Sequence, residues 1–117
     1  MQIDWNKCNA RWCRLESLDL SGPALARAVG VYVIWHDGPF RRTIRVGQGG
    51  IGQQLSAHRQ EPAIQLLASL TLLVTWTDIE ADEIRRGVEA YLAAMLDPLL
   101  GPRFPDRKQI PVALPWN

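Results

Sequence analysis

Two neighbouring stretches, GVYVIWH at residues 30–36 and RRTIRVGQ at residues 41–48, set the architecture that the rest of the chain must fit. Residues 31–36 are β-branched and aromatic, which predicts a short strand. In residues 41–48 polar and apolar side chains alternate, which predicts a second strand with one polar face. The four-residue connection at 37–40 is short enough to join the two strands as an antiparallel hairpin.

The remaining elements follow from apolar periodicity and from turn residues. Residues 51–60 and 62–67 are interpreted as two short helices separated by Pro62, and residues 70–76 as a buried strand. Residues 80–96 predict the longest helix, because acidic side chains occupy its first turn and Asp97-Pro98 ends it. The expected fold is α/β (α+β): a small mixed three-stranded sheet in the order β-β-α-β-α, flanked by helices.

A chain of 117 residues is expected to form one domain. We divide it into an N-terminal extension at 1–29, a core at 30–101 and a proline-rich tail at 102–117 that lies extended over the core. No apolar run reaches the roughly 18 residues that span a bilayer, so no membrane association is expected. The first residues lack the layout of a signal peptide, which favours a cytoplasmic location.

Cys8 and Cys13 are the only cysteines. Their spacing offers two of the four ligands that a zinc ion needs, and no second pair lies near them in the sequence. A disulfide would require an oxidising compartment, for which the sequence has no sign. The expectation is a pair of reduced thiols.

Positive charge is concentrated although the net charge is only +1. Residues 38–60 contain no acidic side chain but four arginines, which are Arg41, Arg42, Arg45 and Arg59. A basic face of this kind binds phosphates even in a neutral domain. The alternative is a solvated edge strand protected by its charges.

The two triplets Gly30-Val31-Tyr32 and Arg45-Val46-Gly47, together with the element order, resemble the GIY-YIG nuclease superfamily over residues 30–101. The resemblance implies metal-dependent hydrolysis of phosphodiester bonds in DNA. It implies that Tyr32 acts as or near the general base and that Glu89 holds one divalent ion, Mg²⁺ or Mn²⁺. The resemblance also implies that His58 belongs to the catalytic set. Arg41, Arg42, Arg59, Gly47 and Gln48 are the expected nucleic-acid contacts.

Three positions depart from the family pattern. The second tyrosine is replaced by Arg45, the helix arginine by Gln54, and the asparagine after the last helix by Gly101. Gln54 carries no charge, so we expect Arg45 or Arg59 to stabilise the negative charge that develops on the phosphate. Arg45 is the favoured candidate because it lies on the strand next to that of Tyr32, with its side chain on the polar face.

Simpler interpretations remain open for the same residues. Tyr32 and His58 could be packed core side chains, and Glu89 could pair with Arg85 or Arg86 on its own helix. The fold would then be a non-catalytic module that binds nucleic acid or a protein partner. An α/β interaction domain unrelated to nucleases is a third interpretation.

Overall fold

A four-stranded sheet covered by helices is the framework of the computed structural model, which describes residues 1–67 and 69–116. The strands are β1 (Cys13–Arg14), β2 (Val29–His36), β3 (Arg42–Gly50) and β4 (Leu73–Asp78). The helices are α1 (Pro23–Arg27), α2 (Ile51–Arg59), α3 (Pro62–Gln65) and α4 (Asp82–Leu96). Ala68 and Asn117, which the predicted domain and tail include, lie outside the described residues. In the described part of the chain, no helix combines the length and apolarity needed to cross a bilayer.

The central hairpin forms as the sequence predicts. Strands β2 and β3 are antiparallel, with Tyr32 opposite Gly47 and Ile34 opposite Arg45. Residues directly opposite each other share a face of the sheet, so Tyr32, Ile34 and Arg45 lie on the same side. The hairpin therefore brings the two triplets of the sequence side by side.

The expected mixed, three-stranded sheet is wrong in two respects. The sheet has the order β1-β4-β2-β3, and each of its pairs is antiparallel. Strand β1 has only two residues, too few to produce a periodic pattern in the sequence. Strand β4 has apolar side chains on both faces, Val74 and Trp76 on one and Leu73 on the other, because helices and terminal segments cover both faces of the sheet. Apolar residues on both faces usually mark parallel strands.

The two faces of the sheet form separate cores. Tyr32 and Ile34 pack with Leu55 of α2, in a cluster that also contains Leu15. The alternate residues of β2 pack on the other face with α4, and these are Val31, Val33 and Trp35 with Val88 and Leu92. Strand β2 is buried on both sides and contacts two neighbouring strands, so it is the centre of the fold.

The segment after α4 returns along the outer edge of β3. Leu99 N–H donates to the Thr43 carbonyl (3.1 Å) and Leu100 N–H to the Ile44 carbonyl (2.8 Å). These bonds cover part of an edge that would otherwise present unpaired backbone groups. Further on, Ile110 N–H bonds to the carbonyl of Gly87, and the Trp116 ring lies 4.9 Å from that of Trp35. The tail therefore lies over the body of the domain, as expected.

The N-terminal extension packs against both cores. Trp5 and Trp12 join the cluster on the α4 side, and Trp12 meets Trp35 edge-to-face at 5.2 Å between ring centroids. Asn6 bonds to the carbonyl of Trp76 through both its backbone and its side-chain amide. The extension is thus part of the folded domain.

The expectation of reduced thiols is wrong, because Cys8 and Cys13 form a disulfide with their Cα atoms 5.1 Å apart. Between them Asn9 and Ala10 have positive φ angles of 51° and 66°, and this tight turn reverses the chain. Cys8 and Arg11 exchange backbone hydrogen bonds across the turn. The spacing of the cysteines does not reveal such a turn, so the sequence could not show that the two sulfurs meet.

Reduction of this disulfide is expected to lower the free energy of unfolding by about 2 kcal/mol, the loop-entropy value for a ring of this size. The measurement is urea denaturation with and without reductant. The double variant C8S/C13S is the control, because its midpoint should not respond to reductant. A wild-type midpoint that is the same in both conditions would contradict the prediction.

Candidate active site

Tyr32 lies on β2 and faces α2, with only 2% of its surface exposed. Its Oη atom is 2.5 Å from Nε2 of His58. The tyrosine ring crosses β3 at Gly47, where an added Cβ would lie 2.1 Å from Oη. Gly47 is therefore required at this position because any other side chain would displace the hydroxyl.

His58 lies on α2, is 5% exposed and contacts a carboxylate with its second ring nitrogen. Its Nδ1 is 2.8 Å from Oε2 of Glu61. An ionised carboxylate can only accept a hydrogen bond, so the contact with Glu61 favours a proton on Nδ1. With that tautomer, Nε2 accepts a hydrogen bond from the Tyr32 hydroxyl. Burial lowers the pKa of His58 and raises the pKa of Tyr32, which keeps the imidazole and the phenol neutral near pH 7.

Arg45 lies on β3 next to this pair, and its Nη1 donates to Oε1 of Glu61 (3.2 Å). Its charge opposes the effect of burial on the pKa of Tyr32. Gly101, at φ +100°, lies against the arginine side chain, since an added Cβ would be 3.8 Å from Cγ of Arg45. Oε1 of Gln54 is 3.5 Å from Oη of Tyr32, so His58 is the closer acceptor for the single hydroxyl proton.

Glu89 lies on α4 and is 9% exposed, yet it forms no ion pair with any of the described residues. Arg85 and Arg86 both bind Asp82 instead, each at 2.8 Å. The alternative in which Glu89 pairs with one of these arginines is therefore wrong. Burial raises the pKa of Glu89 to about 7, against the charges of Arg86, Arg107 and Arg45.

The residues around Glu89 fit a divalent ion that is held jointly with a substrate. Within residues 1–67 and 69–116, no three His, Cys, Asp or Glu side chains form a ready-made metal cage. Mg²⁺ commonly binds through one or two carboxylates, several waters and the phosphates of the substrate. A buried carboxylate without an ionic partner, set among cations that attract phosphate, suits that mode of binding.

Of the five expected nucleic-acid contacts, Gly47 lies against Tyr32, and the other four have side chains engaged in intrachain interactions. Arg41 lies over the Trp116 ring and pairs with Asp37, and Arg42 donates to the Asp97 carbonyl at 2.6 Å. Arg59 donates to the carbonyls of Leu15 and Leu18. Gln48 accepts from Arg85 at 2.6 Å. These side chains connect elements of the fold, and their role towards nucleic acid stays a prediction.

The structure brings Tyr32, His58 and Arg45 together and adds Glu61, a residue that the sequence analysis did not single out. Glu61 comes three residues after His58, a spacing at which a histidine and a carboxylate on a helical turn can meet. That spacing was the available signal. The spacing alone does not show that the second carboxylate oxygen of Glu61 bonds to Arg45, sixteen residues away along the chain.

Comparisons of the chain with protein-family models, with curated proteins and with solved structures find no match. The resemblance to the GIY-YIG superfamily rests on the residues themselves and stays a prediction.

Proposed function

We propose that this domain is a GIY-YIG-like nuclease that hydrolyses phosphodiester bonds in DNA with a divalent metal ion. The observation that carries the proposal is the buried Tyr32–His58 pair, with 2.5 Å between Oη and Nε2. Two neutral groups joined in this way can move a proton in a single step. Arg45 and Glu89 lie close enough for their charges to act on the tyrosine.

In the proposed reaction His58 Nε2 takes the proton of the Tyr32 hydroxyl, and Tyr32 Oη takes a proton from the attacking water. The water oxygen forms a bond to phosphorus while the bond to the leaving sugar oxygen breaks. The leaving oxygen is protonated from solvent. The positive charge of the imidazolium is then balanced by Glu61, which is 2.8 Å from Nδ1.

Arg45 is proposed to carry the charge that Gln54 cannot supply. Its guanidinium is half-buried and held at one nitrogen by Glu61, which leaves its other N–H groups for phosphate oxygens. Arginine suits this role because its planar group forms paired hydrogen bonds with phosphate.

Glu89 would hold Mg²⁺ or Mn²⁺, and the bound ion would neutralise charge on the reacting phosphate. The cations that act on Glu89 come from three parts of the chain: Arg86 of α4, Arg107 of the tail and Arg45 of β3. This convergence supports a polyanionic substrate such as DNA. Arg107 makes no side-chain ion pair within the described residues, so it is available for a phosphate.

A non-catalytic module that binds nucleic acid or a protein partner on the same fold is the second candidate. It is favoured by Gln54 and Gly101, which stand where the family has an arginine and an asparagine. Phe40, 81% exposed at the hairpin connection, offers an apolar contact for a partner. A cytoplasmic location stays a prediction, and the Cys8–Cys13 disulfide weighs against it because disulfides persist mainly in oxidising compartments.

The test is cleavage of supercoiled plasmid and single-stranded DNA with Mg²⁺ or Mn²⁺. Wild-type protein is expected to cleave only with metal. Tyr32→Phe and Glu89→Gln should each lower the rate at least about 100-fold. Tyr91→Phe and Glu83→Gln are the matched controls, since they change the other tyrosine and an exposed glutamate of the same helix. Absence of cleavage by folded wild-type protein would favour the binding module.

Arg45→Ala is expected to lower kcat on the order of 10²-fold, because one charged donor to the transition state is lost. Arg45→Lys should recover part of the rate, since it keeps the charge without the planar fork. The control is Arg14→Ala, which removes an exposed arginine from β1. An Arg45→Ala protein that cleaves as fast as wild type would contradict the proposed role of Arg45.

A further inference from the structure

We propose that Glu61 is a positioning residue that selects the tautomer of His58 and holds Arg45 with the same carboxylate. The consequence for catalysis rests on the function proposed above, whereas the choice of tautomer does not. Three side chains, Tyr32, His58 and Glu61, would then form a relay with the logic of a catalytic triad, in which a carboxylate orients the histidine that accepts a proton.

The two oxygens of Glu61 have separate partners. Oε2 accepts from His58 Nδ1 at 2.8 Å, and Oε1 accepts from Arg45 Nη1 at 3.2 Å. With Nδ1–H committed to a carboxylate, only Nε2 has a free lone pair, and this atom is the one 2.5 Å from Tyr32 Oη. The direction of proton transfer therefore follows from the position of one carboxylate.

The backbone around Glu61 holds the carboxylate in place. Glu61 joins α2 to α3, and its N–H donates to the His58 carbonyl at 3.1 Å. Its own carbonyl accepts from Ile64 N–H (3.0 Å) and Gln65 N–H (2.9 Å). Pro62 follows and restricts the backbone further. The side chain of Glu61 is thus presented from a constrained junction, although it is itself only half-buried.

The charged groups around His58 also support a positioning role for Glu61. The titratable and charged groups that face His58 are Tyr32 on β2, Arg45 on β3 and Glu61 at the end of its own helix. Glu61 raises the pKa of His58, whereas burial and Arg45 lower it. Removal of the negative charge would leave the imidazole with Arg45 alone and make it a weaker proton acceptor.

The test is nitrogen-detected NMR of the two histidine rings, with His36 as the internal reference. Wild-type His58 is expected to carry its proton on Nδ1 at neutral pH. Glu61→Ala should remove this preference, whereas Glu61→Gln should keep it, through the amide oxygen, with a lower pKa. Glu16→Gln, which changes an exposed glutamate, should alter neither property. A wild-type His58 protonated on Nε2, or a tautomer and pKa that are the same in both Glu61 variants, would overturn the proposal.

Cleavage assays then separate this proposal from the function on which it rests. Glu61→Gln is expected to lower kcat at least about 10-fold with little change in KM, and to move the acidic limb of the pH profile to lower pH. A Glu61→Gln protein with the kcat and pH profile of wild type would overturn the positioning role. Absence of cleavage by the wild type would overturn the proposed function, and the NMR result alone would then decide the tautomer assignment.

Discussion

Gly30→Ala is expected to lower the free energy of unfolding by about 3 kcal/mol or more, a large share of what a domain of this size has. A Cβ at this position would lie 1.9 Å from the carbonyl oxygen of Thr77 on β4 and 2.8 Å from its carbonyl carbon. Both atoms belong to the backbone, so no rotamer change can make room. Strands β2 and β4 would have to separate where Gly30 pairs with Asp78.

Urea denaturation followed by circular dichroism measures this effect. Gly50→Ala is the matched control, because it also adds one methyl group at the end of a sheet strand. Its Cβ would meet only the mobile end of Gln53, at 3.4 Å, so its stability should change by less than about 1 kcal/mol. Equal stability of the two variants would refute this account of Gly30.

Glu89→Gln is expected to be more stable than wild type at pH 8, by up to about 3 kcal/mol, and to match it below pH 4.5. Burial raises the pKa of Glu89 from its ordinary 4.5 to about 7 in the folded chain. Each unit of pKa shift corresponds to about 1.4 kcal/mol in the free energy of unfolding, and the size of the shift therefore sets the upper limit of the stability difference. Glutamine keeps the size of the side chain and removes the cost of a buried charge.

The sign of this pH-dependent stability difference follows from the number of protons that the folded and unfolded chains bind. Between pH 4.5 and about 7 the unfolded chain has lost the proton of Glu89 while the folded chain retains it. Stability therefore falls as pH rises through this range, and the full cost is present above pH 7. His58 has a lowered pKa and the opposite slope, but it is present in both proteins and does not affect their difference.

Chemical denaturation at a series of pH values gives this difference directly. Glu83→Gln, on the exposed side of α4, should show none of the pH dependence. Mg²⁺ should stabilise wild type at pH 8 and leave Glu89→Gln unchanged, because an ion that binds only the folded state shifts the unfolding equilibrium. If the free energies of unfolding of Glu89→Gln and wild type differ by the same amount at every pH from 4 to 8, the predicted cost of burying the Glu89 charge is contradicted.

Much of the fold could be predicted from local patterns. The hairpin of β2 and β3 and the helix α4 were expected within two residues of their observed ends, because each has its own apolar period and its own turn or cap residues. The positions of Tyr32, Arg45 and His58 on one face of the domain follow from that hairpin and the helix after it. For these elements the neighbours along the chain carry most of the information.

Other features arise only where distant segments meet. The pairing of β1 with β4, the reversal that joins Cys8 to Cys13 and the return of Leu99 and Leu100 along β3 leave no periodic pattern in the sequence. The two oxygens of Glu61 are a further example, since one partner is three residues away and the other sixteen.

The amino-acid pattern alone was sufficient for the order of the central elements and for the residue types at the candidate site. Only the tertiary structure decided which of those residues contact one another. In the sequence, Gly30 directly precedes the first predicted strand, and Gly47 lies near the end of the second. In the folded chain Gly30 leaves space for the β4 backbone and Gly47 leaves space for the Tyr32 hydroxyl. The interior is closely packed, so the need for glycine at each position depends on the atoms that lie next to it in the folded sheet.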